Sequence, residues 1–155
     1  MFGTHYVTKE FTFDAAHQLP NHTGLCKNIH GHTYKLQVTL TGLVLEVDGS
    51  SQEGMVVDFK DMKDWIKDMV LDKFDHAFIA KGDEPILPTL KELGSKVFEI
   101  GVRTTAENMA RYIFETLCLN LPPNVFVKNV RLYETPTSYA DYKAKDYEQQ
   151  IKENK

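Results

Sequence analysis

An α+β fold is predicted by three features of the chain. Runs rich in aromatic and β-branched residues follow one another in sequence, two segments carry apolar residues at helical spacing, and no strand–helix–strand unit recurs. The first run, "YVTKEFTF" from Tyr6 to Phe13, reads as a strand and passes into the turn-rich "DAAHQLPNHTG". From His32 to Leu45 the pattern alternates, with His32, Tyr34, Leu36, Val38 and Leu40 on one side and Thr33, Lys35, Gln37, Thr39 and Thr41 on the other. That is a second strand with one dry face. After "DGSSQEG" comes a helix in "MVVDFKDMKDWIKDMVLDKF", with Phe59, Met62, Ile66, Met69 and Val70 as its apolar stripe and Asp58 as its N-cap. "KGDEPILPTLKELGS" reads as a loop holding at most one short helical turn, and "KVFEIG" as a short strand. A second amphipathic helix spans Thr104 to Leu119, buries Met109, Ala110, Ile113, Phe114 and Leu117, and opens on Thr104 and Glu107 at capping-box spacing. "VFVKNVRLYETPTSYADY" supplies a pair of strands or one bent strand, and the charged tail from Lys143 reads as a frayed or helical end.

The totals narrow the function. A chain of 155 residues, 42% hydrophobic and 26% charged, fits one domain over 1–155 with a core large enough to fold unaided. Eighteen basic and twenty-two acidic residues give a net charge of -4, so bulk electrostatics does not favour nucleic acid as a partner. No window approaches the length that crosses a bilayer, and "MFGTHYVTKE" lacks a basic stretch followed by an apolar run. A cytoplasmic protein without membrane contact is expected. No Gly-rich phosphate loop and no GxSxG elbow is present. Two cysteines are too few for a disulfide framework or a thiolate zinc cage. Cys118 falls in step with Ala110, Phe114 and Leu117 and reads as a small core residue, whereas Cys26 sits in the polar loop "NHTGLCKN" with no packing role.

The chemistry concentrates around "GLCKNIHGHTYKLQV". Side chains two apart on a strand share a face, so His30 and His32 present two imidazoles side by side, with Gly31 between them. If the first two strands pair antiparallel, His17 at the end of the first faces that pair. Three imidazoles with an open fourth position are the donor set of a catalytic zinc ion. An HxH pair by itself also occurs as two ordinary strand histidines, and His22 lies close enough in sequence to compete as a ligand. His5 reads as a surface residue. Cys26, four residues before His30, is placed to act as a base or nucleophile, the alternative being an inert loop thiol. In "FDHAF", Asp75 would orient the His76 imidazole for proton exchange, although residues of this kind also cap helix ends. Glu134 shares the parity of Val130 and Leu132, so its carboxylate either points among apolar neighbours and awaits a ligand with N–H donors, or pairs at the surface with Arg131 or Lys128.

These residues resemble the 6-pyruvoyl-tetrahydropterin synthase and 6-carboxy-5,6,7,8-tetrahydropterin synthase family. The matching pieces are "FTFDAAH", "CKNIHGHTYKLQV", "GMVVDFKDMK", "FDHAFI", "TTAENMARYIFE" and "VRLYETPTSYADY", in the family's order and over most of the chain. The resemblance implies the tunnelling fold: an antiparallel four-stranded sheet with two helices on one face, closing into a β-barrel by oligomerisation, expected as a homohexamer with active sites between subunits. It implies Zn2+ held by His17, His30 and His32, and Cys26 as the proton-abstracting thiol. Asp75 and His76 would complete the relay, Glu134 would anchor the pterin ring, and Thr105 would lie near it. The substrate implied is 7,8-dihydroneopterin triphosphate, with Lys27, Lys35 and Arg103 as nominees for its phosphates. Three residues separate Cys26 from the HGH, which resembles the 6-carboxytetrahydropterin branch of 7-deazaguanine and queuosine biosynthesis rather than the pyruvoyl branch. Asp14 departs from the family's common "FSAAH" pattern. A pterin-binding protein with structural zinc, and a zinc hydrolase that uses metal-bound water, are the rival classes.

Overall fold

The computed structural model describes residues 5–155. Its first two strands, β1 (His5–His17) and β2 (His30–Gly42), pair antiparallel over their whole length, from His5 opposite Gly42 to His17 opposite His30. A single 3-10 turn, Leu25–Lys27, interrupts the loop between them. Helix α1 (Phe59–Ile66) widens into a π-helical turn at Lys67–Leu71 and ends as α2 (Asp72–Phe74). Then follow β3 (Ala77–Ala80), α3 (Leu87–Glu92), β4 (Val97–Glu99), α4 (Ala106–Asn120), β5 (Phe126–Thr135), β6 (Ser138–Lys143) and α5 (Ala144–Glu153).

The strands form one six-stranded sheet in the order β4-β3-β1-β2-β5-β6. This corrects the expected four-stranded antiparallel sheet, because β3 runs parallel to β1 and β4 parallel to β3. The segment around "FDHAF" was expected only to follow a helix end. It forms a strand whose four residues are all buried, so "AFIA" carries no polar–apolar alternation to betray it. The C-terminal segment resolves into two antiparallel strands, β5 and β6, and the charged tail into α5.

The main core lies on one face of the sheet, and a smaller cluster of Phe78, Ala80 and Leu87 packs on the other. Phe13, Tyr34, Leu36, Val38, Leu40, Val130 and Leu132, all of one strand parity, meet Met62, Ile66, Val70 and Phe74 from the α1–α2 segment and Met109, Ile113, Phe114 and Leu117 from α4. Phe59, expected in this stripe, is 53% exposed instead. The residues that reach the core are spaced by four, which overshoots a turn of 3.6 residues, and the wide turn at Lys67–Leu71 brings Val70 and Phe74 back onto the core face. Phe74 is fully buried and edge-on to Phe13 at 5.7 Å between ring centres. Phe74→Ala is therefore expected to lower unfolding stability by about 3–5 kcal/mol in urea titrations.

Helix α4 begins one residue later than its sequence suggests. Thr105, not Thr104, is the N-cap, its hydroxyl accepting the Asn108 N–H at 3.2 Å. Thr104 is instead fully buried, so the expected pairing of Thr104 with Glu107 does not form. Cys118 packs half-buried against the core, as its spacing implies, and burial pushes its thiol up to about 11.

Candidate metal centre and adjoining cleft

The antiparallel register sets His17 opposite His30 and Ala15 opposite His32, so the three imidazoles converge on the helix-covered face. One nitrogen from each ring lies within 4.8 Å of the others, and His17 Nε2 is 3.0 Å from His30 Nε2. Their far sides decide what those nitrogens are. His17 Nδ1 is 2.7 Å from the Thr104 carbonyl and His30 Nδ1 is 2.8 Å from the Asn28 carbonyl. A carbonyl only accepts, so each Nδ1 carries a proton and each Nε2 is the nitrogen left to face the other ring and to ligate a metal. An approach of 3.0 Å between them is satisfied by a positive centre shared by both, a proton or a metal ion. The Nε2 of His32 is also buried without a hydrogen bond, 3.6 Å from Glu134 Oε1. Burial lowers the pKa of His17 and of His32, favouring the neutral rings that ligate metals. The donor set fits a zinc ion with carbonyl-oriented ligands.

Next to this centre is a cleft of about 290 Å³ lined by His22, Cys26, Thr105, Glu107, Glu134 and Tyr139, among others. The Cys26 loop is tied down at both sides: Leu19 N–H donates to the Cys26 carbonyl at 2.9 Å, and the Gln18 amide donates to the Lys27 carbonyl at 2.9 Å. Those bonds hold the half-buried thiol beside the start of α4. Glu134 reaches the same cleft in step with Val130 and Leu132 on β5, beside a register shift in the β5–β6 pairing between Tyr133 and Thr135. The surface alternatives for Glu134 are taken elsewhere: Arg131 is clamped by both Asp141 oxygens at 2.8 and 2.9 Å, and Lys128 lies over the Tyr6 ring. His22 is exposed, its Nδ1 accepts the Gly24 N–H at 2.8 Å, and it stands outside the three-histidine group.

Asp75 and His76 do pair, with Nδ1 3.0 Å from Oδ1, but on the other face of the sheet. Their neighbour Asp14 accepts a hydrogen bond from Thr33, its cross-strand partner, and both alternate out of phase with Phe13, Ala15 and His32. Within one chain, then, Cys26 and the Asp75–His76 pair are not brought together. Of the phosphate nominees, Arg103 is engaged by Asp83 at 2.8 and 2.9 Å. Lys35 stands 4.3 Å from the Tyr133 ring centre and lines a cavity of about 400 Å³ with His32 and Glu134. Sequence reasoning missed the Thr104 carbonyl behind His17, since every residue has a carbonyl and no side chain marks the one that matters.

Sheet, three-histidine cluster and strand-end carboxylate define an α+β domain with a polar centre at the end of its two longest strands. The chain belongs to the 6-pyruvoyl tetrahydropterin synthase family, whose model matches residues 6–145. It is 43% identical to the 6-carboxy-5,6,7,8-tetrahydropterin synthase of Haemophilus influenzae over 140 residues, 88% of this chain and 96% of the relative. It is 30% identical to the protein of the same name in Aquifex aeolicus, again over 88% of this chain and 96% of the relative. Among solved structures, the 6-pyruvoyl tetrahydropterin synthase of Caenorhabditis elegans superposes with a TM-score of 0.62 at 29% identity, covering 93% of this chain and 99% of that one. Among the described residues no helix is long and apolar enough to cross a membrane.

Proposed function

We propose that this chain is a zinc-dependent 6-carboxy-5,6,7,8-tetrahydropterin synthase. It converts 7,8-dihydroneopterin triphosphate and one water to 6-carboxytetrahydropterin, acetaldehyde and triphosphate, in the cytoplasmic 7-deazaguanine route to queuosine. The observation that carries the reading is the convergence of one ring nitrogen each from His17, His30 and His32 within 4.8 Å of one another, a donor set for a cation next to the Cys26 cleft. The names of its relatives support the product.

Zinc, when bound by His17, His30 and His32, supplies Lewis acidity to the hydroxyls of the substrate side chain. Glu134 accepts the N–H groups of the pterin ring and fixes which carbon faces the thiol. Cys26 removes the proton from that carbon as a thiolate. His76 exchanges protons with the substrate or with Cys26, its Nδ1–H held by Asp75 so that Nε2 faces the reaction. Thr105 and Glu107 border the ring, and Lys35, with Lys27, meets the triphosphate. Because one chain keeps Cys26 apart from Asp75–His76, the reading includes a second copy that brings its own pair to this cleft. The proposed assembly is a homohexamer whose subunits join through the sheet edges at β4 and β6.

Incubation with 7,8-dihydroneopterin triphosphate and identification of the product by mass tests the reading. The 6-carboxy product is expected. The pyruvoyl compound would establish a second reading, 6-pyruvoyl-tetrahydropterin synthase, which the Caenorhabditis elegans likeness favours. No product from any pterin would leave a binding protein with structural zinc.

A further inference from the structure

We propose that Asn108 is a positioning residue for the metal centre, acting through the Thr104 carbonyl that orients His17. The inference rests on the proposed zinc site and adds the group that keeps one of its ligands aimed. A backbone carbonyl stays in line with His17 Nδ1, 2.7 Å away, only if the chain around it is held. Thr104 does not hold itself: it is fully buried, and its own hydroxyl has no hydrogen-bond partner. Asn108 grips the residues on both sides of it. Its side-chain amide donates to the Arg103 carbonyl at 3.0 Å, and its backbone N–H donates to the Thr105 hydroxyl at 3.2 Å. Because a carbonyl only accepts, the amide nitrogen is the atom that faces Arg103.

Two rigid peptide groups meet at Thr104. The one before it carries the Arg103 carbonyl, and the one after it carries the carbonyl that His17 uses and leads into the cap of α4. With the first held by the Asn108 side chain and the second by the cap, rotation that would swing the Thr104 oxygen away from His17 is resisted at both ends. The other hold on this segment is the Arg103 guanidinium, engaged by Asp83 at 2.8 and 2.9 Å. That pair acts at the end of a long side chain and against a half-exposed carboxylate, so it restrains the backbone less than the short amide does. Asn108 has no packing role to explain it: Met109 and Ala110, the next two residues, are the ones that enter the core. Asparagine is also a poor helix former, and its bond to a carbonyl five residues back accounts for its place in the first turn. The aimed ring keeps its proton on Nδ1 and leaves Nε2 for the metal, which is how a partner behind a ligand raises metal affinity.

Asn108→Asp keeps the shape and the backbone N–H, puts a carboxylate where the helix dipole favours one, and removes the donor to Arg103. Its melting temperature in chelator is expected to stay within a few degrees of the unaltered protein. Its zinc affinity, measured by competition with a chromogenic chelator, should fall about tenfold. Asn108→Gln, which keeps the amide on a longer stem, should recover part of that loss. Turnover should return at saturating zinc, because Asn108 does not line the Cys26 cleft. Asn120→Ala is the control: it removes the same kind of bond, an amide to the Thr116 carbonyl at 2.7 Å, from the far end of α4, and should leave zinc affinity unchanged. Unchanged affinity in Asn108→Asp overturns the proposal. So does a fall that Asn120→Ala shares, one that tracks melting temperature across the three variants, or a loss of turnover that excess zinc does not restore. If the unaltered protein binds no zinc, the proposed metal centre fails. Exchange of the His17 Nδ1 proton with water, expected to quicken roughly fivefold in Asn108→Asp, then decides alone whether Asn108 holds the carbonyl.

Discussion

Cys26→Ala is expected to keep zinc, fold and oligomeric state while lowering turnover of dihydroneopterin triphosphate by about 10²–10⁴-fold. The expectation follows from where the thiol sits. Cys26 belongs to a loop anchored by its own backbone, through the Leu19 and Gln18 bonds, and contributes no side chain to the hydrophobic core. Removing the sulfur therefore costs little stability. It does empty the position from which a base can reach a pterin held by Glu134 in the same cleft. Full activity in Cys26→Ala would take the thiol out of the mechanism and favour a hydrolase that works through metal-bound water.

His30→Ala is expected to abolish stoichiometric zinc, measured by elemental analysis after dialysis, and turnover with it. His30 is the better test than His17, because it is half-buried while His17 is 1% exposed and its removal would also open a cavity. Chelation of the unaltered protein should give the same inactive state, reversed by added zinc. The apo domain should stay folded, since the core of Phe13, Tyr34, Leu36 and the two long helices closes without the three rings. Metal at about a hundredfold above its dissociation constant would add about 2.7 kcal/mol, visible as a higher melting temperature. A domain that unfolds on chelation would speak for a structural ion and against catalysis.

Much of this site was legible from parity. The alternation from His32 onward assigned His30 and His32 to the dry face, and an antiparallel partner ending in His17 meets them with His17 opposite His30. Glu134 was legible in the same way, though its surface alternatives with Arg131 and Lys128 were removed only when Asp141 and Tyr6 were seen to occupy those cations. β3 was not legible, because a strand covered on both faces loses the alternation that marks it. The shift of the helix cap from Thr104 to Thr105 was not legible either: two adjacent threonines compete equally for the role, and burial of Thr104 decides it.

The sequence by itself determined which residues share a face and which donors stand at the strand ends, because side-chain direction along a strand is a local, two-residue property. Only the tertiary structure decided that the Thr104 carbonyl, 87 residues away, orients His17, and that Asp75 and His76 lie across the sheet from Cys26. Both depend on where a distant segment docks. That is set by the burial of the whole core and by the parallel pairing of β3 on β1, and no local pattern encodes it.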